Sequence, residues 1–431
     1  METIRFYLET YGCSLNKSDS DIIVGHLASL GAERVEDSDN ANVLILNTCG
    51  VKEPTEDRIV HRLETLSGGT VPVVITGCLP RISLDRIKTV IPDFAAVLGP
   101  QSIESLGPIV ERVFHGERSI VNLESDSGSK LRLFEGPPNS VICTVPICEG
   151  CLGSCAYCAV RFARGEVRSH SISEIRDVVE RCVHLGYREI RLTSQDAGVF
   201  GHDTGEDLVK LLATLDGIDG AHMYRLGMFN PNLVLESIDD IVEVMTSDHY
   251  FKFFHVPLQS GSDRILESMA RQYTVDQWRL ITGMIRKRIP RATIATDIIV
   301  GFPGESNDDF ELTLELLESI RPSVVNISKY GDRPGTRASK STEKVDTSIK
   351  KARSRQLSDS VHQMVTQENE TWIGWSGRVI VTEPGPKGGT VCRNSAYKPI
   401  VVHEDLKFGT IVQVEVVSAH RTHLAAQKCR D

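Results

Sequence analysis

Along the first 120 residues, short apolar runs alternate with stretches whose apolar positions recur every three or four residues. Residues 4–8, 43–46 and 71–75 read as strands, and the unbroken Val43-Leu44-Ile45-Leu46 run fits a strand covered on both faces. Residues 18–30, ended by Gly31, and residues 54–66, with Pro54 in the first turn, have helical spacing. Such alternation predicts an open parallel sheet with helices on both faces. Residues 121–139 break the pattern with Ser125-Asp126-Ser127-Gly128-Ser129 and Gly136-Pro137-Pro138, the punctuation of a linker.

From Val141 the alternation resumes with six strand candidates, at 141–145, 189–193, 222–226, 251–256, 293–300 and 323–328. Helical spacing fills the gaps, as at 173–185, 206–215 and 308–320, with Ser171 or Ser173 and Asn307 as caps. Six strand–helix units are two short of a full barrel, so a partial (βα)6 barrel is expected. A basic stretch from Lys340 to Arg355 leads into a helix with Leu357, Val361, Met364 and Val365 on one face. The last segment holds strand runs at 378–383, 399–402 and 410–417, broken by glycine and proline turns, and predicts a small β-barrel of the oligonucleotide-binding kind. The expected organisation is α/β: an N-terminal domain over 1–122, a linker over 123–139, the partial barrel over 140–338, a helical connection over 339–371 and the small barrel over 372–431.

The chemistry concentrates in Cys151-Leu-Gly-Ser-Cys155-Ala-Tyr157-Cys158, just past the first strand of the partial barrel. Three thiolates spaced CxxxCxxC can each take one iron of a [4Fe–4S] cube, leaving the fourth iron open, and an open position marks a catalytic metal site. A zinc knuckle is the alternative, with Cys148-Glu-Gly-Cys151 supplying a CxxC. Cys148 is read as a loop thiol. Three more cysteines, Cys13, Cys49 and Cys78, each follow one of the first three strands beside a glycine or threonine. The carboxyl ends of parallel strands share one edge, where open α/β sheets place their ligands, so these thiols are expected to meet. A second iron–sulfur cluster is the favoured reading, and three unrelated buried thiols the other.

The CxxxCxxC loop, with Tyr157 before its last cysteine, resembles the radical S-adenosylmethionine (SAM) superfamily. Together with Cys13, Cys49 and Cys78, the likeness extends over the chain to the methylthiotransferases of that superfamily. This resemblance implies two [4Fe–4S] clusters, one on Cys151, Cys155 and Cys158 and an auxiliary one on Cys13, Cys49 and Cys78, with SAM as second cofactor. Tyr157 would lie at the SAM site, and the end of the second barrel strand, Gln195 or Asp196, would meet the SAM amino group. The resemblance also places a TRAM domain, a small RNA-binding barrel, over the C-terminal strands, where Arg393, Tyr397 and Lys398 combine charge with a stacking surface. Arg161, Arg164 and Arg168 after the cluster loop are either solvated, paired with Glu166, or held to RNA phosphate. Arg333-Pro334-Gly335-Thr336 matches a family signature, although Gly331-Asp332 before it departs from the common pattern.

Composition limits the remaining choices. The 431 residues carry a net charge of −10, which argues against a generally basic nucleic-acid binder and against DNA as partner. Residues 340–431 nevertheless hold 14 Lys and Arg against 10 Asp and Glu, so RNA contacts are expected there and on local arginine clusters. No apolar run approaches a membrane span, the first residues lack a signal-peptide pattern, and eleven cysteines in a chain of this size point to metal thiolates in a reducing, cytoplasmic setting. The stretch from Asn47 to Arg58 and the C-terminal segment look closest to the archaeal and eukaryotic branch that converts N6-threonylcarbamoyladenosine-37 of tRNA to its 2-methylthio derivative. An external electron donor and sulfur source would then be required. The alternatives are a methylthiotransferase acting on an aspartate of a ribosomal protein, and an iron–sulfur or RNA-binding protein without turnover.

Overall fold

The computed structural model describes residues 3–51, 53–126 and 128–429. Lys52 and Ser127, which fall in the family-like stretch and in the linker, and residues 1–2 and 430–431, lie outside the described residues.

A six-stranded parallel sheet forms the N-terminal part, in the spatial order Glu33–Arg34, Arg5–Thr10, Val43–Thr48, Val73–Gly77, Ala96–Leu98 and Ile120–Asn122. Its two faces are both covered, as the unbroken apolar runs require. Val43 and Ile45 pack with Ile22, Ile23 and Leu27 of the first helix, Ser14–Ser29, whereas Leu44 and Leu46 pack with Ile59 and Leu63 on the other side. The first helix begins four residues before the apolar spacing does, because its first turn carries Asn16, a buried polar residue.

The stretch read as a linker is not a loose connection. Lys130–Leu133 makes a 3-10 turn, and Leu131 and Phe134 enter the same apolar core as the first helix. That core runs on into the partial barrel, so sheet and barrel are packed face to face.

The barrel consists of two three-stranded parallel sheets. One runs Met223–Leu226, Glu189–Thr193, Ile142–Pro146; the other runs Phe253–His255, Thr293–Val300, Val324–Lys329. The Tyr224 and Tyr250 bridge joins them. All six expected strands are present with shifts of at most two residues at their ends, and the expected helices appear as Ile172–His184, Leu208–Asp216 and Asn307–Ile320. Ser171 caps the first of these with a capping box to Glu174. The last is capped by Ser306, not Asn307, which is already helical: the Ser306 hydroxyl and the Asp309 side chain close the box.

A 24-residue helix, Thr347–Glu370, links the barrel to a closed five-stranded barrel in the order Ser376–Pro384, Thr390–Arg393, Pro399–Val402, Leu424–Lys428, Ile411–Ala419. The basic start of that helix is committed to the protein: buried Arg353 pairs with Glu305 Oε2 at 2.6 Å and donates to Asn307 Oδ1 at 2.9 Å. No helix among the described residues is long and apolar enough to cross a membrane.

Candidate functional site

The strands Arg5–Thr10, Val43–Thr48 and Val73–Gly77 are neighbours, so their carboxyl ends lie side by side, and Cys13, Cys49 and Cys78 follow them within three residues. Cys13 and Cys78 immediately precede helices, and Cys78 N–H donates to Thr48 O at 2.8 Å across the edge. The approach is close enough to require glycine twice. A Cβ on Gly12, at φ +123°, would stand 2.7 Å from Cys49 Cβ, and one on Gly77, at φ +94°, would stand 2.3 Å from Thr48 O. Beneath them Asn16 and Asn47 lock the edge: Asn16 Nδ2 donates to Asn47 Oδ1 at 3.2 Å and Thr48 O at 3.0 Å, and Asn47 Nδ2 donates back to Asn16 O at 2.8 Å.

The second triplet sits on the loop between the short strands Cys148–Glu149 and Arg168–Ser169, with the helix Val160–Arg164 closing it. Each of its sulfurs accepts one N–H. Gly153 N donates to Cys151 Sγ at 3.2 Å, Val160 N to Cys158 Sγ at 3.4 Å, and Arg271 Nη1 to Cys155 Sγ at 3.1 Å. Such donors favour the thiolate. Burial opposes them while the thiols are unliganded, pushing Cys151 up to about 11 and Cys158 up to about 12. Cys151 and Cys158 therefore need a cationic centre to ionise at neutral pH.

Which centre fits? No disulfide ties up any of the described cysteines, and among the described residues no three Cys, His, Asp or Glu close on one point as a single metal ion demands. Cys148 is no loop thiol. It is buried in its short strand with its Sγ toward Asp196 O at 3.7 Å, so the zinc-knuckle alternative loses its fourth ligand. The three loop sulfurs each accept an N–H, and at the sheet edge Cys78 Sγ accepts one from Arg164 Nε at 3.4 Å; three cysteines in each set can hold a four-iron cube with one open iron.

The two SAM-contact candidates both make hydrogen bonds within the protein. Gln195 turns back to the loop, its Oε1 accepting Gly150 N–H at 2.9 Å. Asp196 is fully buried and fully used: it accepts Gly198 N–H at 3.0 Å, Asn230 N–H at 3.1 Å and the Asn230 side-chain amide at 2.5 Å. Both are supports of the loop. Tyr157 lies against Phe302, rings 6.4 Å apart, in a small apolar cluster with Met269 and Tyr330.

Sequence reading missed Arg271 and Asn230. Arg271 reaches Cys155, hydrogen-bonds the Asn230 side chain, and stacks 4.9 Å above Tyr273. Together with Gly153, Ser154 and Asp196, they line a cavity of about 30 Å³ beside the loop. Arg271 follows Cys155 by 116 residues, and nothing in its local sequence pattern marks it.

Four RNA-contact expectations are also corrected. Arg164 is 1% exposed and salt-bridged to Asp19 and Glu149. Lys398 is buried, donating to Glu368 Oε2 at 2.5 Å and Asn369 Oδ1 at 3.0 Å. Tyr397, at φ 62°, pushes into the amino-terminal end of the partial barrel, where its hydroxyl donates to Glu189 Oε1 at 2.5 Å and its ring meets Phe251 and Phe253. Arg393 stacks on the same ring at 4.7 Å and faces Glu383 at 3.6 Å. Tyr397 is thus a joint between the two barrels. Arg161 and Arg168 keep exposed side chains, Arg161 at 3.7 Å from Glu166 and Arg168 donating to Asp126 O at 3.5 Å. Arg333 of the family-like signature is buried too, pairing with Glu56 at 2.5 Å and so tying the barrel to the N-terminal sheet.

Comparison with known proteins completes the description. Residues 5–99 match Uncharacterized protein family UPF0004, and residues 145–317 match the Radical SAM superfamily. Over 431 residues the chain is 38% identical to a probable threonylcarbamoyladenosine tRNA methylthiotransferase of Methanothermobacter thermautotrophicus, covering 99% of this chain and 100% of that one. The chain belongs to the threonylcarbamoyladenosine tRNA methylthiotransferase family. A human member is 32% identical, with 99% of this chain and 74% of that protein covered. Family membership does not depend on the fold, but the fold agrees. A radical S-adenosylmethionine methyltransferase from Kitasatospora setae, whose structure contains cobalamin and a [4Fe-4S] cluster, superposes with a TM-score of 0.58 at 11% identity, over 79% of this chain and 74% of that one.

Proposed function

We propose that the chain is a radical SAM methylthiotransferase that converts N6-threonylcarbamoyladenosine-37 of tRNA to its 2-methylthio derivative. The observation that carries this reading is the pair of three-cysteine sites, one on the barrel loop and one on the neighbouring sheet edge, in a chain of this family. Cys151, Cys155 and Cys158 would hold one [4Fe–4S] cluster and Cys13, Cys49 and Cys78 the other, each leaving an iron open. A cluster with an open iron supplies, when SAM is bound, the electron that cleaves SAM and so gives access to a C–H bond that no side-chain base can deprotonate. The chain's own residues provide the frame. Gly153 N–H, Val160 N–H and the Arg271 guanidinium orient the loop sulfurs, and Gln195 and Asp196 fix the loop and the Asn230 turn around them. His255 and Asn326 each bond Asp297 at 2.9 Å, a polar row across the second barrel sheet. Tyr397 stops the opposite end of the barrel, keeping water out from that side.

The division of labour in this reading is 1–122 for the auxiliary site, 140–338 for SAM and 372–431 for RNA. RNA contact would fall to exposed cations such as Arg161 and to the outer face of the small barrel. Electrons and sulfur come from outside the chain, and a tRNA-modifying enzyme of this kind is placed in the cytoplasm.

The test is anaerobic reconstitution followed by incubation with SAM, a reductant, sulfide and tRNA bearing threonylcarbamoyladenosine, then digestion and mass analysis of the nucleoside. A methylthio mass gain lost in both Cys155→Ala and Cys49→Ala is expected. Formation of 5′-deoxyadenosine without that gain would overturn the substrate and turn attention to the ribosomal-protein aspartate.

A further inference from the structure

Arg164 belongs to the loop site by sequence and to the sheet-edge site by contact. It ends the helix Val160–Arg164 that closes the CxxxCxxC loop, yet its Nε donates to Cys78 Sγ at 3.4 Å, 86 residues away. The side chain is 1% exposed and its guanidinium is held by two carboxylates: Nη2 donates to Asp19 Oδ2 at 2.6 Å and Nη1 to Glu149 Oε2 at 3.3 Å, while the Arg164 backbone carbonyl accepts from Gln101 Nε2 at 2.9 Å. Lys130 bridges the same two carboxylates, 2.5 Å from Asp19 Oδ1 and in contact with Glu149. Two cations and two anions therefore cancel in one buried cluster, and one N–H of that cluster is directed at a sulfur.

We propose that Arg164 is a positioning residue for the Cys13, Cys49 and Cys78 site, so that the loop of one iron–sulfur site supplies the hydrogen bond that sets the geometry and reduction potential of the other. The proposal rests on the two-cluster reading above. Its physical basis is general: hydrogen bonds and positive charge at a cluster's sulfurs stabilise the more negative, reduced form and raise the potential, and supports outside the ligands hold them in place. Arg271 stands in the same relation to Cys155, so each triplet receives one guanidinium. The difference is that Arg271 comes from elsewhere in its own barrel, whereas Arg164 crosses from the barrel to the sheet. Arg164 cannot move without moving the helix beside Cys158, so the two sites are built as one unit.

The experiment isolates the sheet-edge site by placing Cys151→Ala, Cys155→Ala and Cys158→Ala in the full-length chain and reconstituting it anaerobically. Asp19→Asn with Arg164→Gln is then added, a pair of changes that removes one charge of each sign and leaves Lys130 with Glu149. Arg164→Lys, which keeps the charge but not the guanidinium fork, is the second variant. Melting followed by circular dichroism checks the fold. With Arg164 in place the chain should bind about four irons. The double variant should lose iron to a chelator about tenfold faster or more, and its midpoint potential, read by electron paramagnetic resonance during a reductive titration, should move negative. Arg164→Lys should fall between. Unchanged iron release, potential and spectrum in both folded variants would overturn the proposal while leaving the two-cluster reading intact. A parent chain that binds no iron at the sheet edge would overturn both.

Discussion

Cys151, Cys155 and Cys158 lie within eight residues, whereas Cys13, Cys49 and Cys78 span 66 and share one sheet edge only because three parallel strands end side by side. The loop sulfurs take two of their three N–H donors from backbone two residues onward. The sheet-edge cysteines depend on glycines that let strands approach, on an asparagine pair, and on an arginine carried by another part of the chain. One site is encoded locally and the other is assembled. A perturbation of tertiary structure should therefore cost the sheet edge more than the loop, and the following measurements put that difference to use.

The largest effect is expected from Arg333→Met, which takes one of two cations from buried Glu56 and leaves Arg86 as its remaining charged partner at the contact between sheet and barrel. Removing one partner of a buried pair costs about 3–5 kcal/mol. Urea unfolding should show that loss, and iron analysis should show the sheet edge emptied before the loop. Next comes Gly77→Ala, whose Cβ has no room against Thr48 O and whose φ disfavours any side chain. A cost of about 2 kcal/mol or more is expected, with about half the iron lost. Gly153→Ala serves as its counterpart, since there the new Cβ meets only Cys151 and Cys155 sulfurs at 3.3 and 3.5 Å and the backbone imposes no positive φ. If Gly153→Ala were the more damaging to stability, the contrast between local and assembled sites would be wrong.

Much of this was readable beforehand, for identifiable reasons. Strand periodicity located all six barrel strands, and the CxxxCxxC spacing located the loop, because both are properties of consecutive residues. What escaped depended on pairing across the fold. Arg271 and Asn230 have no local signature, and Arg164, Tyr397 and Lys398 read as exposed cations and an aromatic when they are buried and partnered. A basic or aromatic residue near a turn carries the same pattern whether it faces solvent or fills a joint. Ser306 displaced Asn307 as cap because Asp309, three residues on, completes its box.

A smaller effect is set by pH. Burial drives the His170 ring down to about 4; its Nδ1 lies 3.1 Å from Ser129 Oγ and its Nε2 has no partner among the described residues. Because the folded form holds its proton less tightly than the unfolded chain, stability is full above the ordinary histidine range and falls as pH drops from about 6.5 toward 4, by about 3 kcal/mol at most. His170→Asn should flatten that limb in unfolding curves taken between pH 7 and pH 4. His170 sits beside Lys130, on the assembled side of the comparison, so acid should loosen that side first. The smallest effect belongs to Arg161→Gln. The exposed pair with Glu166 contributes under about 1 kcal/mol, so melting should hardly change; if Arg161 meets tRNA phosphate, the salt dependence of tRNA binding should fall by about one counterion.

The separation between Asp19 and Arg164 also has a temporal meaning. As the chain leaves the ribosome, the first three strands and their cysteines are complete long before the arginine that neutralises Asp19 has been made, 145 residues later. Until then Asp19 lacks its guanidinium partner, and Lys130 is the cation that reaches it first, 111 residues on. The sheet edge thus gains its last buried partner only after the loop cysteines have been translated.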